Sequence, residues 1–162
     1  MEPGPTTPRP AEERKQSRTP GSGAAERLDL EGCVDELLAI VDYVAAADGP
    51  LRMPPGEAAA SPWHRRLLLK AMERLEMIDG FMRGRVAFLV AGRERGYHAP
   101  QEELDLAGSA LDTCRAAHVV TEELLAARVP PPQQSAMMGE AALRVRAALA
   151  TTCEARPPRD ES

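Results

Sequence analysis

Apolar residues recur at steps of three and four along four stretches of this 162-residue chain, and none shows the strict alternation of a half-buried strand. That periodicity restricts the chain to helices that each bury one stripe. The first stretch, from about Leu28 to Asp48, carries Leu30, Val34, Leu37, Leu38, Val41, Val44 and Ala45 on one face. Gly49-Pro50 stops it, because proline lacks the N–H that a helix interior needs. A loop over "LRMPPGEAAA" follows. Ser61-Pro62 then supplies a hydroxyl cap with proline at the first helical position. The second helix so opened has Leu68, Ala71, Met72, Leu75, Ile78, Met82, Val86 and Leu89 inward and runs to about Gly92, with Gly80 and Gly84 leaving room for a kink. A third helix starts near Pro100, places Glu102, Glu103 and Asp105 where the helix dipole favours anions, and buries Leu104, Ala107, Leu111, Cys114, His118 and Leu125. Pro130, Pro131 and Pro132 end it. A fourth, from about Ser135 to Glu154, turns Met138, Ala142, Val145, Leu149 and Cys153 inward.

Two of the three connections are short, so sequential helices are expected to be antiparallel. The expected fold is all-α, a four-helix up-and-down antiparallel bundle with disordered N- and C-terminal tails. The length supports one core of this kind, assigned to residues 26–155. Residues 1–25 hold five of the fifteen prolines and hardly a bulky apolar side chain, so burial cannot repay the entropy of ordering them. The same holds for 156–162. Thr7-Pro8 and Thr19-Pro20 match proline-directed phosphorylation sites and "PTTP" a minimal P-x-x-P, but a Pro-rich linker produces such matches by composition.

Arginine is abundant, yet the formal net charge is -5, whereas a phosphate-binding domain carries a basic surplus. Nucleic acid is therefore not the expected partner. Cys33, Cys114 and Cys153 are widely spaced with no C-x-x-C, which fits reduced thiols in a cytoplasmic protein better than a disulfide framework. The longest uncharged apolar run is Val86 to Gly92, far short of a membrane span, and no membrane association is expected.

Chemistry-bearing motifs are sparse. Cys114, His118 and Glu122 fall at steps of four on one helical face, as metal ligands would. Cys114 and Glu122 are separated by about 12 Å of helix, too far to share an ion whose ligands lie within about 2.3 Å of it. Only a pair of the three can cooperate, and no second spaced Cys or His pair exists to complete a site. Neither metal nor cofactor is expected. Glu73, Glu76 and Asp79 alternate with Lys70, Arg74 and Arg83 at helical spacing, the pattern of solvated salt bridges rather than paired catalytic carboxylates. No GK[ST] phosphate loop, G-x-S-x-G or H-E-x-x-H occurs, so no enzyme is expected; a metal-binding or enzymatic bundle is one alternative. A second alternative is a DNA-binding regulator, since "EELDLAGSALDTCRAA" imitates a degenerate helix-turn-helix with its turn at Gly108.

One feature points to a partner. Met77, Phe81 and Phe88 project roughly 120° to 180° away from the core stripe of the second helix, with Gly84 and Ala91 nearby, where a helix with one buried side should be polar. These five residues form the expected interaction face of a protein–protein interaction or assembly module, and the simplest partner is another copy of the chain. The first helix is wholly acidic in its charges and the second mostly basic, which favours the second helix lying between the first and third.

Overall fold

Capping groups and prolines fix the helix ends. The computed structural model describes residues 29–155, with side chains from 29 to 152. The tails at 1–25 and 156–162, with Thr7 and Thr19, lie outside the described residues, as does the side chain of Cys153. The described residues form helices joined by short turns: α1 Leu30–Ala45, a 3-10 turn Pro50–Arg52, α2 Glu57–Ala60, α3 Pro62–Glu94, α4 Gln101–Leu125 and α5 Pro132–Ala155. Among the described residues there is no strand.

Asp29 caps α1 by accepting a 2.6 Å hydrogen bond from the Gly32 amide. Beyond α1 the chain turns so tightly that a Cβ on Gly49 would collide with the Tyr43 carbonyl oxygen. The stretch expected to be a loop instead holds the 3-10 turn and α2. Its Glu57-Ala-Ala-Ala run has high helix propensity, and Ala58 is buried against the core. Ser61 caps α3 through the His64 amide. Gly96, at φ 86, closes α3 with paired bonds from Tyr97 N–H to the Gly92 carbonyl and from Gly96 N–H to the Arg93 carbonyl. Ala127 performs the same closure for α4 at φ 63, a conformation usually left to glycine. Pro132, the last of the proline triplet, becomes the first residue of α5 rather than a residue before it.

α3 runs through Gly80 and Gly84 without interruption, 33 residues and about 50 Å long. α1 has only 16 residues, about 24 Å. The two are antiparallel: Glu36 pairs with Arg74, and the Tyr43 hydroxyl lies 2.7 Å from His64 Nδ1. Continued toward the start of α1, this register brings Leu30 level with the turn Met77–Gly80 of α3, so the second half of α3 extends past α1. α3 and α4 are also antiparallel, linked by Arg85–Glu103, Asp79–Arg115 at 3.8 Å and Glu76–His118 at 3.5 Å.

α4 is the centre of the fold. It packs along α3 and α5 and touches α1, and α1 in turn touches α3, α4 and α5. α3 does contact both acidic helices, but the position between neighbours belongs to α4. The reason is that α4 has two buried faces: Leu106, Ala110, Thr113, Ala116 and Val120 join Ala107, Cys114 and Ala117 inside. Its alanines let neighbouring backbones approach closely. The stripes expected on α1 and α3 are buried nearly as read, including Val34, Leu37, Val44, Leu68, Leu75, Ile78 and Met82. Each such side chain contributes about 1.5–3 kcal/mol relative to exposure.

Candidate interaction surface

Met77, Phe81, Gly84, Phe88 and Ala91 follow one another along α3 at steps of four, three, four and three. That is the spacing of a seam that receives another helix. Phe88 is 69% exposed and Met77 43%, with the Arg85 guanidinium 5.8 Å from the centre of the Phe88 ring. Phe81 is half-buried and rests against the core, and Ala91 is half-buried. At Gly84 and at Gly80 a Cβ would meet nothing within 4 Å. Neither glycine is needed for packing among the described residues, although each weakens the helix by roughly 1 kcal/mol relative to alanine.

The seam continues at both ends. Tyr97, 69% exposed, folds back beside Gly92 on the flank that carries Phe88. Toward the other end the seam runs into a groove of about 360 Å³ between α1 and α3, lined by Ile40, Tyr43, Leu67, Lys70, Ala71 and Arg74. The groove is almost wholly apolar along its floor. Its rim is fixed by Arg74, whose Nε and Nη2 donate to the Glu36 carboxylate at 2.5 and 2.8 Å and whose Nη1 lies 3.2 Å from Met77 Sδ. The hydrogen bonds from Arg74 hold the Glu36 carboxyl below its ordinary range, and Glu36 raises Arg74 further. Burial pushes the Tyr43 hydroxyl up.

The Cys114, His118 and Glu122 ladder has a different fate on each rung. Cys114 is buried and its thiol donates to the Leu75 carbonyl at 3.4 Å, while burial pushes its pKa up to about 12. It is a core thiol hydrogen-bonded across the α3–α4 contact. His118 faces Glu76, and Glu122 is exposed. Among the described residues no group of three His, Cys, Asp or Glu side chains is spaced to hold a metal ion. The α3–α4 groove beside them, about 400 Å³, is lined by charges already paired: Asp79 with Arg83 at 2.7 Å and with Arg115, Glu76 with His118. α4 passes through Gly108 as one helix, without the turn a helix-turn-helix requires. No helix among the described residues is long and apolar enough to cross a membrane.

Sequence reasoning named the five residues along α3 but neither Tyr97 nor the α1–α3 groove. Tyr97 lies beyond the helix end, where periodicity carries no information, and the groove exists only once α1 is docked. Comparison with family models, with curated proteins and with solved structures returns no match.

Proposed function

We propose that this chain is a non-enzymatic, cytoplasmic protein–protein interaction module that receives a partner helix along the outer face of α3. The observation that carries the reading is the pair of exposed apolar side chains, Met77 and Phe88, set at seam spacing on a helix whose opposite face is already core. Open space at Gly80 and Gly84 supports it, since a helix keeps interior glycines at a cost in stability when something approaches its backbone. The buried, unpaired thiols of Cys33 and Cys114 favour a reducing compartment. For the architecture we propose an up-and-down antiparallel bundle of α1, α3, α4 and α5. The antiparallel registers of α1 with α3 and of α3 with α4 support it, as does the short proline-rich link before α5.

The reading is tested with Met77→Glu/Phe88→Glu, which spares the half-buried Phe81. Urea unfolding is followed by circular dichroism at dilutions where the wild-type midpoint no longer depends on concentration. An open face predicts unchanged helicity and an unfolding free energy within about 0.5 kcal/mol of wild type, as for surface substitutions generally. A loss of about 2 kcal/mol or more shows that the chain itself covers this face, and the proposal fails.

A further inference from the structure

Resting on that reading, we infer that the occupant of the α3 face is a second copy of this chain, lying antiparallel across Gly84, with Tyr97 of each copy seated in the α1–α3 groove of the other. The 28 residues ahead of Asp29 contain Met1 and Leu28 as their only bulky apolar side chains, so they are chemically unsuited to cover Met77, Phe88 and the groove together. What the face lacks, a second copy possesses.

Length and register supply the first argument. α1 flanks α3 only up to the turn Met77–Gly80, which leaves the rest of α3, to Glu94, without α1 beside it. The groove has the converse defect, an apolar floor between α1 and α3 with no helix laid in it among the described residues. An antiparallel copy remedies both at once: the free half of each α3 lies along the groove of the other, and each α1 flanks the end of α3 that its own chain leaves bare.

Size complementarity sets the centre. With Gly84 facing Gly84, each residue is level with the one equally far on the other side of it. Met77 then lies level with the partner's Ala91, Phe81 with the partner's Ala87 and Phe88 with the partner's Gly80, so each bulky side chain meets a small one. Tyr97 lies level with the partner's Ala71, in the middle of the groove lining. A parallel pairing instead sets Met77 on Met77, Phe88 on Phe88 and Arg95 on Arg95. Arg83 and Arg85 do not choose between the two, since the antiparallel register sets each level with the other and both already hold acidic partners, Asp79 and Glu103.

Charge agrees with the antiparallel choice. Glu73 and Arg95 are both exposed, and in this register each is level with the other on the opposite copy, giving two symmetric pairs. From Ala71 to Tyr97 the overlap is roughly 39 Å long, and with the α1 flank about two helices (~20 Å) wide. That footprint, on the order of 800 Å² per chain, is what a stable dimer needs.

The experiment uses the full chain. Sedimentation of wild type is expected to show a concentration-dependent dimer at tens of micromolar. In a Cys153→Ser background, mild diamide oxidation reports the register, since Cys33 and Cys114 are buried. Gly84→Cys should cross-link to itself. Met77→Cys and Ala91→Cys should each yield little alone and, when mixed, a covalent dimer at least ~10-fold more abundant. Tyr97→Ala should raise the dimer Kd on the order of tenfold with unchanged helicity, and Glu73→Arg and Arg95→Glu should each weaken the dimer while their combination restores it. Self-cross-linking of Met77→Cys and of Ala91→Cys signifies a parallel dimer and overturns the inference. A wild type that stays monomeric at tens of micromolar, while Met77→Glu/Phe88→Glu keeps its fold stability, overturns the second copy as occupant and leaves the interaction face standing.

Discussion

Gly80→Ala and Gly84→Ala separate folding from association, because the two effects have opposite signs. Both positions are interior to α3, more than two turns from either end, and neither carries the positive φ that would demand glycine. A methyl group at either one meets nothing within 4 Å. The folded monomer therefore gains the helix-propensity difference, about 0.5–1 kcal/mol per substitution and ~1–2 kcal/mol for the pair, with no steric charge against it. For a domain of this size that raises the thermal midpoint by ~3–10 °C. The same two methyl groups would occupy the space through which a neighbouring backbone approaches in the proposed dimer, so that dimer should weaken on the order of tenfold. The assay pairs thermal unfolding under dilute, concentration-independent conditions with sedimentation at tens of micromolar. If the variants are less stable as monomers, something already packs against this side of α3, and the description of it as open is wrong. If they are more stable and associate as before, the glycines have no role at the contact.

Three further outcomes follow from the interior. Burial lifts the Cys114 thiol to about 12 and that of Cys33 to about 11, above the ~8.5 of an unfolded thiol. Their contribution is fully present below pH ~8.5 and lost as pH rises through the folded values, so the urea midpoint should fall from pH 8 to pH 10.5, and fall less in Cys33→Ala/Cys114→Ala. Glu36 has the opposite sense: its lowered pKa makes the Arg74 pair stabilising above the ordinary carboxyl range and lost as pH falls through the folded value. Glu36→Gln should flatten that acid limb and, the pair being about a third exposed, reduce stability at pH 7 by only about 0.5–1 kcal/mol. Thr121 Oγ1 is buried with no hydrogen-bond partner among the described residues, so Thr121→Val, of similar shape, should hold or raise the unfolding free energy in urea by up to about 1–2 kcal/mol. A clear loss in that variant shows that the hydroxyl is satisfied in solution.

Helix type and most inward faces were legible because a helix buried on one side writes its burial as a single stripe. α1 and α3 are such helices, and Val34, Leu37, Leu75 and Ile78 lie where the spacing put them. α4 is not. It touches α1, α3 and α5, and a helix surrounded in this way spreads its buried residues around much of its circumference. Ala110, Thr113 and Ala116 are then indistinguishable in sequence from a permissive solvent face, so the central position fell to α3 on charge grounds. Surface ion pairs are worth too little to order helices, and Asp79–Arg115, running against the expected sense across the α3–α4 contact, shows it.

The apolar side of α3 that we propose for a partner was legible for the same reason that the core was: Met77, Phe81 and Phe88 break the polarity that their side of α3 should have. Their periodicity could not say how many of them the chain covers by itself. The half-burial of Phe81 against the core and the exposure of Met77 and Phe88 divide the five residues between two tasks. Phe81 anchors this side of α3 to the fold, and Met77 and Phe88 stay exposed. A sequence pattern records that a position is apolar, whereas the side of α3 on which α1 docks and how far α1 reaches decide which apolar positions stay open: Met77 is level with the start of α1 but exposed, and Phe88 lies beyond it. In the register of the Glu36–Arg74 and Tyr43–His64 pairs, α1 would have to start about two to three turns earlier to come level with Phe88. Its stop at Asp29 therefore leaves Phe88 without α1 beside it.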